Sequence, residues 1–196
     1  CSTFNKQLSS NRLKLYIDGA LVAQADAANG DIDAGGYPVL GAWEDNASYF
    51  TGSLDEVRMY NRDLSADEVA QLYRLNAPTG TDTSLKGYWS FNGKDLSGTT
   101  AYDRSGAGNN GTLTNGPTVT PGKIGQALSF DGVDDYVSVP AAGSLRPSLP
   151  LSFSFWIKPN TVSIAMSVFG YREGTVHHGY WSSTGADGSV TVNYGD

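Results

Sequence analysis

Side chains that could bind a hard cation are concentrated in one glycine-rich turn. Asp103, Asn109 and Asn110 lie in the run 103–113, where carboxylate, amide and backbone oxygens could surround calcium. The alternative is that Asp103 and Asn109 accept hydrogen bonds from backbone amides and so hold the turn closed. The sequence therefore predicts calcium as a candidate structural cofactor here, with turn formation as the competing interpretation.

A second acidic group follows in the run 131–135. Asp131, Asp134 and Asp135 flank a Gly-Val pair. Turn formation explains Asp131, and solvation explains the other two carboxylates. We therefore interpret this group as a surface turn and place the metal prediction on the first turn.

Paired carboxylates for glycoside hydrolysis do not occur in the required pattern. That reaction needs two carboxylates about 5 to 10 Å apart. Asp55 and Glu56 are adjacent, and adjacent strand residues point to opposite faces of a sheet. No glutamate in a strand pattern has a second acid two residues away; the glutamates are Glu44, Glu56, Glu68 and Glu173. We therefore expect a protein that is not an enzyme.

Glycan binding would instead use exposed aromatic rings flanked by polar groups. The best candidate group is Trp43 with Asp45, Asn46 and Tyr49, although Trp43 also ends an apolar run and could belong to the core. A second candidate group contains Tyr171 and Trp181. The other two tryptophans, Trp89 and Trp156, lie in alternating strand patterns and are expected in the core.

The composition indicates an all-β protein. The chain has 196 residues with 24 glycines and 11% aromatic residues, and long helical patterns are absent. The net charge of −7 argues against nucleic acid or an anionic membrane as a partner. No apolar run reaches the ~18 residues that a membrane-spanning helix needs, so membrane insertion is not expected.

One stretch, 52–73, has a clear local pattern. Leu54, Val57 and Met59 predict a half-buried strand with one irregular step. Ser65 followed by Glu68 is a capping box, which predicts the start of a short amphipathic helix. Earlier in the chain, an Asp-Gly pair after 13–17 predicts a hairpin turn. A strand followed by a small helix is typical of the end of a domain, although more than half the chain follows.

Several segments resemble parts of a laminin-G-like domain, the concanavalin A-like jelly roll of bacterial extracellular proteins. Those similar to its first half are 88–91, 103–113, 121–137 and 153–159. Those similar to its second half are 13–22 and 52–73. The resemblance implies a jelly-roll β-sandwich with one short capping helix. It also implies that the 103–110 turn lies near the closing strand, where Asp55 would contribute to the calcium site.

The order of these halves is reversed relative to the family. We interpret 1–75 as the second half of a domain, 76–86 as a linker and 87–196 as the first half. The chain could be a window from a tandem array or a circular permutant. It could also exchange halves with neighbouring molecules. Since half a sandwich would expose a large apolar face and open strand edges, the halves must pair within or between chains.

The resemblance implies a non-catalytic extracellular or cell-surface module. We expect adhesion or binding of a carbohydrate or protein, as one unit of a tandem-repeat surface protein. The alternative is a structural subunit of a filament, in which neighbouring copies complete each other. A third interpretation is an accessory module of a glycoside hydrolase. The expected partners are a glycan, an extracellular protein or further copies of the chain.

Overall fold

The computed structural model describes residues 2–7, 12–26, 37–42, 48–74, 82–140, 143–145, 150–172 and 179–195. These ranges form antiparallel strands and one α-helix. The strands belong to two large sheets that enclose a common core. The predicted all-β sandwich with one short helix is confirmed.

The described part of residues 1–75, called the first segment below, contains five strands and the helix. They are β1 (Ser2–Gln7), β2 (Arg12–Ile17), β3 (Ala20–Asp26), β4 (Tyr37–Leu40), β5 (Thr51–Tyr60) and α1 (Ala66–Tyr73).

The described residues after α1, called the second segment below, contain eleven strands, many of them short. They are β6 (Leu85–Trp89), β7 (Leu96–Ser97), β8 (Thr100–Ala101), β9 (Gly111–Thr114), β10 (Thr118–Pro121), β11 (Gln126–Asp131), β12 (Tyr136–Ser138), β13 (Ser152–Pro159), β14 (Met166–Arg172), β15 (Gly179–Thr184) and β16 (Val190–Gly195). Single 3-10 turns lie at Gly93–Asp95 and Gly143–Leu145.

Both sheets contain strands from both segments. The first sheet has the order β10-β11-β5-β13-β1-β2-β3, with β6 also paired to β5. The second sheet has the order β16-β15-β14-β4-β12-β9-β8-β7. Strand β13 therefore lies between β1 and β5, and β4 lies between β12 and β14. In this structure the two segments complete each other within a single chain.

The segment 76–86 ends in regular structure. Strand β6 begins at Leu85, so the last two positions of this segment belong to a strand, and Leu85 pairs with Tyr60 of β5. The division of the chain into two reversed halves of a family domain stays a prediction.

The main core lies between the two sheets. It includes Leu54 and Phe153 from the first sheet, and Leu40 and Phe169 from the second. Phe153 and Phe169 meet with ring centroids 4.2 Å apart. Burying apolar area of this kind is the dominant stabilising term, at about 25 cal/mol per Å².

Trp89 is also part of this core, as predicted. Only 1% of its surface is exposed. Its indole N–H donates to the carbonyl oxygen of Asn109 at 3.0 Å, so its polar atom is satisfied inside the core.

The predicted irregular step in β5 is confirmed. Leu54, Val57 and Met59 are buried in the core, whereas Glu56 has a φ of +55°. The register with β13 shifts at the same place, which is a β-bulge. Because the bulge adds a residue, Leu54 and Val57 both face the core although they are three positions apart.

The capping box and the hairpin turn are confirmed as well. Ser65 Oγ accepts from the Glu68 N–H at 3.2 Å, and Glu68 Oε2 accepts from the Ser65 N–H at 2.8 Å. Asp18 and Gly19 both have positive φ, as a type I′ turn requires. Val69 and Leu72 of the helix pack with Tyr16, Tyr60 and Leu64 in a second, smaller hydrophobic cluster.

Pairing of the segments within one chain can be tested with an engineered disulfide. Ser53 on β5 and Ser129 on β11 are opposite each other, and they belong to different segments. With Cys1 replaced by serine, we expect the S53C/S129C variant to form a cross-linked monomer on a non-reducing gel, because paired strand positions lie within disulfide reach.

The matched control is T118C/S129C, whose two positions pair within the second segment. That variant should give an internal cross-link whether or not segments are exchanged. A ladder of covalent oligomers from S53C/S129C, with the control monomeric, would contradict pairing within one chain.

Candidate functional site

The carboxylate of Asp103 is engaged by the turn that contains it. Its Oδ1 accepts from the N–H groups of Tyr88 at 2.9 Å and Ser105 at 2.8 Å. Its Oδ2 accepts from the Ser105 hydroxyl at 2.8 Å and the Asn109 N–H at 2.9 Å. Three of these hydrogen bonds come from within the turn, as the turn-forming alternative predicts, and the one from Tyr88 joins the turn to β6.

The two asparagines predicted beside Asp103 also stabilise the turn. Asn109 Nδ2 donates to the Lys86 carbonyl at 2.7 Å and to Ser144 Oγ at 2.9 Å. Asn110 Oδ1 accepts from the Asp103 N–H at 2.9 Å. The structure brings these three residues together, but Asp55 hydrogen bonds to a different turn, at Lys123 and Ile124. The four-residue calcium site stays a prediction.

The second acidic group has a geometry that could hold a metal ion. One carboxylate oxygen from each of Asp131, Asp134 and Asp135 lies within 4.8 Å of the others. Asp135 is buried, and this burial raises the pKa of its carboxyl group. Its Oδ2 accepts from the Asp131 N–H at 3.0 Å, which holds the turn closed. Sequence reasoning ranked this group below the 103–110 turn.

The aromatic candidates lie only partly within the described residues. Trp43, Asp45 and Asn46 lie outside the described residues. Tyr49 is half-buried and bridges to Ala42 in the backbone. Strand β14 carries Tyr171 opposite Pro38, but the side chain of Tyr171 lies outside the description, and Trp181 is half-buried in β15. These ligand-binding assignments stay predictions.

A cleft of about 450 Å³ lies on the first sheet. It is lined by residues of β5, β13 and the start of β11, together with the turn that joins β10 to β11. These residues are Ser53, Asp55, Pro121, Gly122, Lys123, Ala127, Trp156, Ile157 and Lys158.

The cleft is on the outer face of the sheet, away from the main core. Phe155 and Ile157 pack in that core, so strand alternation directs Trp156 to the opposite face. Leu54 also packs in the core, so its neighbour Asp55 points to the outer face. Asp55 and Trp156 are opposite each other on the two paired strands. The prediction that Trp156 belongs to the core is wrong, because its two neighbours already fill that face. The alternation of 153, 155 and 157 was the sequence signal for this orientation.

The ring of Trp156 is held by contacts from two other elements. Tyr73, at the end of α1, stacks on it with a centroid distance of 5.6 Å and an interplanar angle of 23°. The ammonium group of Lys123 lies 4.7 Å from its ring centroid. A cation–π contact at an exposed position contributes only about 0.5–1 kcal/mol, so a ligand could displace this lysine.

Asp55 is a buried carboxylate at the base of the cleft. Its Oδ2 accepts from the N–H groups of Lys123 at 2.7 Å and Ile124 at 2.9 Å. Its Oδ1 is buried and has no hydrogen-bond partner among the described residues. Burial raises the pKa of Asp55 to about 6, and the neighbouring charge of Glu56 adds to this effect. A side chain at Gly122 would meet Oδ2 at 2.6 Å, so the turn approaches Asp55 more closely than other residues allow.

Glu56, the neighbour of Asp55, is engaged elsewhere. It forms an ion pair with Arg58, and its two carboxylate oxygens accept from the Tyr88 hydroxyl at 3.1 and 2.9 Å. The Arg58 guanidinium also lies 4.2 Å above the Tyr88 ring. Glu56 is 1% exposed and does not line the cleft. Asp55 and Glu56 therefore lie in different surroundings, and the expectation that the protein is not an enzyme stays a prediction.

Comparison with known proteins gives one match. Residues 1–70 match the family model described as the concanavalin A-like lectin/glucanases superfamily. This segment belongs to that superfamily. Comparison with curated proteins and with solved structures gives no significant match.

The concanavalin A-like segment supplies only one side of the cleft. Ser53 and Asp55 lie within the matched residues, whereas Lys123, Trp156 and Lys158 lie outside them. The antiparallel sandwich seen in the described residues is the fold that this superfamily implies. Both segments of the chain are therefore needed to form the cleft.

The raised pKa of Asp55 predicts a pH-dependent stability. The folded state holds its proton more tightly than the unfolded chain, whose pKa is near 3.8. The free energy of unfolding should therefore fall as pH rises from about 4 to about 7, and Asp55 should account for about 3 kcal/mol of that change. Asp55→Asn should flatten this dependence in urea titrations followed by tryptophan fluorescence.

Asp63 provides a matched comparison for this experiment. Burial raises its pKa to about 6 as well, so Asp63→Asn should remove a separate share of the same pH dependence. The double variant should be flatter than either single variant. An Asp55→Asn variant with the slope of the parent protein would contradict the assignment.

Proposed function

We propose that this chain is a non-catalytic extracellular module that binds a saccharide in the outer-face cleft. The observation that carries the proposal is Trp156, a half-buried indole that lines the cleft and is held there by Tyr73. Binding energy is gained most readily where an aromatic platform is already ordered, because little conformational entropy is then lost.

The polar groups around Trp156 suit a hydroxylated ligand. The Oδ1 atom of Asp55 lacks a protein donor, and a hydroxyl group of a sugar can supply one. Ser53 pairs with Lys158 across the two strands and adds a donor and acceptor next to Asp55. Small numbers of oriented polar groups beside an apolar platform are the usual composition of a ligand site.

A binding role agrees better with this cleft than hydrolysis does. Asp55 is the one carboxylate among the described residues that line it. Hydrolysis of a glycosidic bond usually uses two carboxylates on either side of that bond. The module could still accompany a glycoside hydrolase domain, since binding alone would hold such an enzyme near its substrate.

The proposed setting is the cell surface or the extracellular space. The net charge of −7 disfavours nucleic acid as a partner and leaves a glycan or an extracellular protein. Among the described helices, none has the length and apolarity to cross a membrane. Adhesion is the proposed role at that surface.

Filament assembly is the second candidate, and the insertion of β13 between two strands of the first segment favours it. Because β13 of the second segment lies between β1 and β5 of the first, the same pairs could form between neighbouring copies. Exchange of this kind makes an open chain of molecules when each copy has two different partners. The S53C/S129C cross-link distinguishes this candidate from a closed monomer.

The proposal includes a structural calcium ion, and two variants locate it. If calcium binds at the second acidic group, it should raise the melting temperature of the parent protein, and Asp134→Asn should abolish this rise. Asp103→Asn should lower the free energy of unfolding by about 1–3 kcal/mol through lost turn hydrogen bonds, with the calcium response retained.

Differential scanning calorimetry with added calcium and with EDTA measures both effects. The opposite pattern, in which Asp103→Asn abolishes the response and Asp134→Asn retains it, would place calcium at the 103–110 turn. Equal melting temperatures with calcium and with EDTA would contradict a structural calcium ion.

The saccharide proposal predicts a specific effect of Trp156. Glycan-array screening should identify a ligand, and Trp156→Ala should weaken its binding about tenfold in calorimetric titration, because the stacking platform is lost. Trp156→Phe should retain most of the affinity.

Tyr102→Ala is the control, since Tyr102 is an exposed aromatic residue that does not line the cleft. Its affinity should equal that of the parent protein. Equal binding by the parent protein and Trp156→Ala would show that the cleft is not the glycan site.

A further inference from the structure

The cleft has a charge that contrasts with the rest of the molecule. The chain carries a net charge of −7, yet two of the three charged residues that line the cleft are lysines. Lys123 and Lys158 are both exposed, whereas Asp55 is buried beneath them. The accessible charge of the cleft is therefore positive.

The register of β5 and β13 determines where these charges lie. Trp156 is paired with Asp55, and Lys158 is paired with Ser53. Residues two apart on a strand share a face and are separated by about 6.6 Å. Lys158 therefore lies about 6.6 Å along the strand from Trp156, on the same outward face.

The second lysine approaches the platform from another element. Lys123 lies on the turn between β10 and β11, and its ammonium group is 4.7 Å from the ring centroid of Trp156. The backbone of this turn is held by Asp55, which accepts from the N–H groups of Lys123 and Ile124. Asp55 thus anchors the residue whose charge lies over the ring.

The nearest other charges described on β5 do not offset the lysines. Glu56 is paired with Arg58 and accepts from the Tyr88 hydroxyl. Its charge is therefore compensated within the fold, and it does not line the cleft. An anion that enters the cleft meets two lysines before it meets a carboxylate.

We propose that the cleft selects saccharides that carry an anionic group, with the sugar ring on Trp156 and its carboxylate or sulfate between Lys123 and Lys158. This inference rests on the proposed saccharide function and adds the class of ligand. Charge-assisted hydrogen bonds from an ammonium group to either anion are shorter and stronger than neutral ones. The lysine that lies on the ring in the free protein becomes a ligand contact in the complex.

The test compares each acidic oligosaccharide with a neutral counterpart of the same backbone. The probes are oligogalacturonate and its methyl ester, and dextran sulfate oligomers and unmodified dextran oligomers, titrated into the full chain by calorimetry. We expect at least tenfold tighter binding of one acidic probe than of its neutral counterpart. Preference for the galacturonate or for the sulfated dextran identifies the anion.

Variants assign this preference to the cleft. K123Q/K158Q should reduce the acidic preference at least tenfold, and the affinity for the acidic probe should also lose its dependence on sodium chloride. The matched control is K86Q/K94Q, which has the same net charge but alters lysines that do not line the cleft. Circular dichroism and urea unfolding are used to check that both variants are folded.

The outcomes separate the two proposals. Equal affinity for acidic and neutral counterparts would overturn the acidic preference and leave saccharide binding intact. Loss of the preference in K86Q/K94Q as well would show a general charge effect and overturn the site. Acidic binding that is unaffected by Trp156→Ala would also overturn it. Failure of all four probes to bind would overturn the acidic preference, and the glycan array would then decide the saccharide proposal separately.

Discussion

The long strand β5 constrains the whole sandwich because it pairs with three other strands. Its first half pairs with β11 and its second half with β6, while β13 follows its other edge. The change of partner falls at the bulge, where Glu56 has a φ of +55°. A non-glycine residue in this conformation costs about 1–3 kcal/mol, which the surrounding pairs must offset. Core packing of Leu54 and Val57 on either side of the bulge supplies that compensation.

Two buried carboxylates, Asp55 and Glu56, are adjacent at this bulge but differ in how their oxygens are paired. Glu56 is satisfied by Arg58 and by the Tyr88 hydroxyl, so its charge is compensated. Asp55 satisfies one oxygen with two backbone N–H groups and leaves the other without a donor among the described residues. An incompletely paired buried carboxylate is a cost to folding. Its position at the base of the cleft explains that cost if the missing donor comes from a ligand.

The cleft depends on the association of the two segments. Asp55 comes from the part that matches the superfamily, and Trp156 comes from strand β13, which inserts between β1 and β5. The ring is then stacked by Tyr73 of α1, again from the first segment. A mutation that weakens pairing of the segments should therefore affect ligand binding without touching the ligand. If neighbouring copies exchange segments, each cleft would contain residues from two molecules.

The sequence by itself determined the local features of this protein. The Asp-Gly turn, the irregular step in β5 and the capping box at Ser65 all follow from residues a few positions apart, whose preferences act through backbone geometry and strand or helix periodicity. Only the tertiary structure decided that Asp55 anchors the Lys123 turn, 68 residues away, and that Tyr73 stacks on Trp156. Such contacts depend on which strands pair and in which register, and local patterns carry no information about either choice.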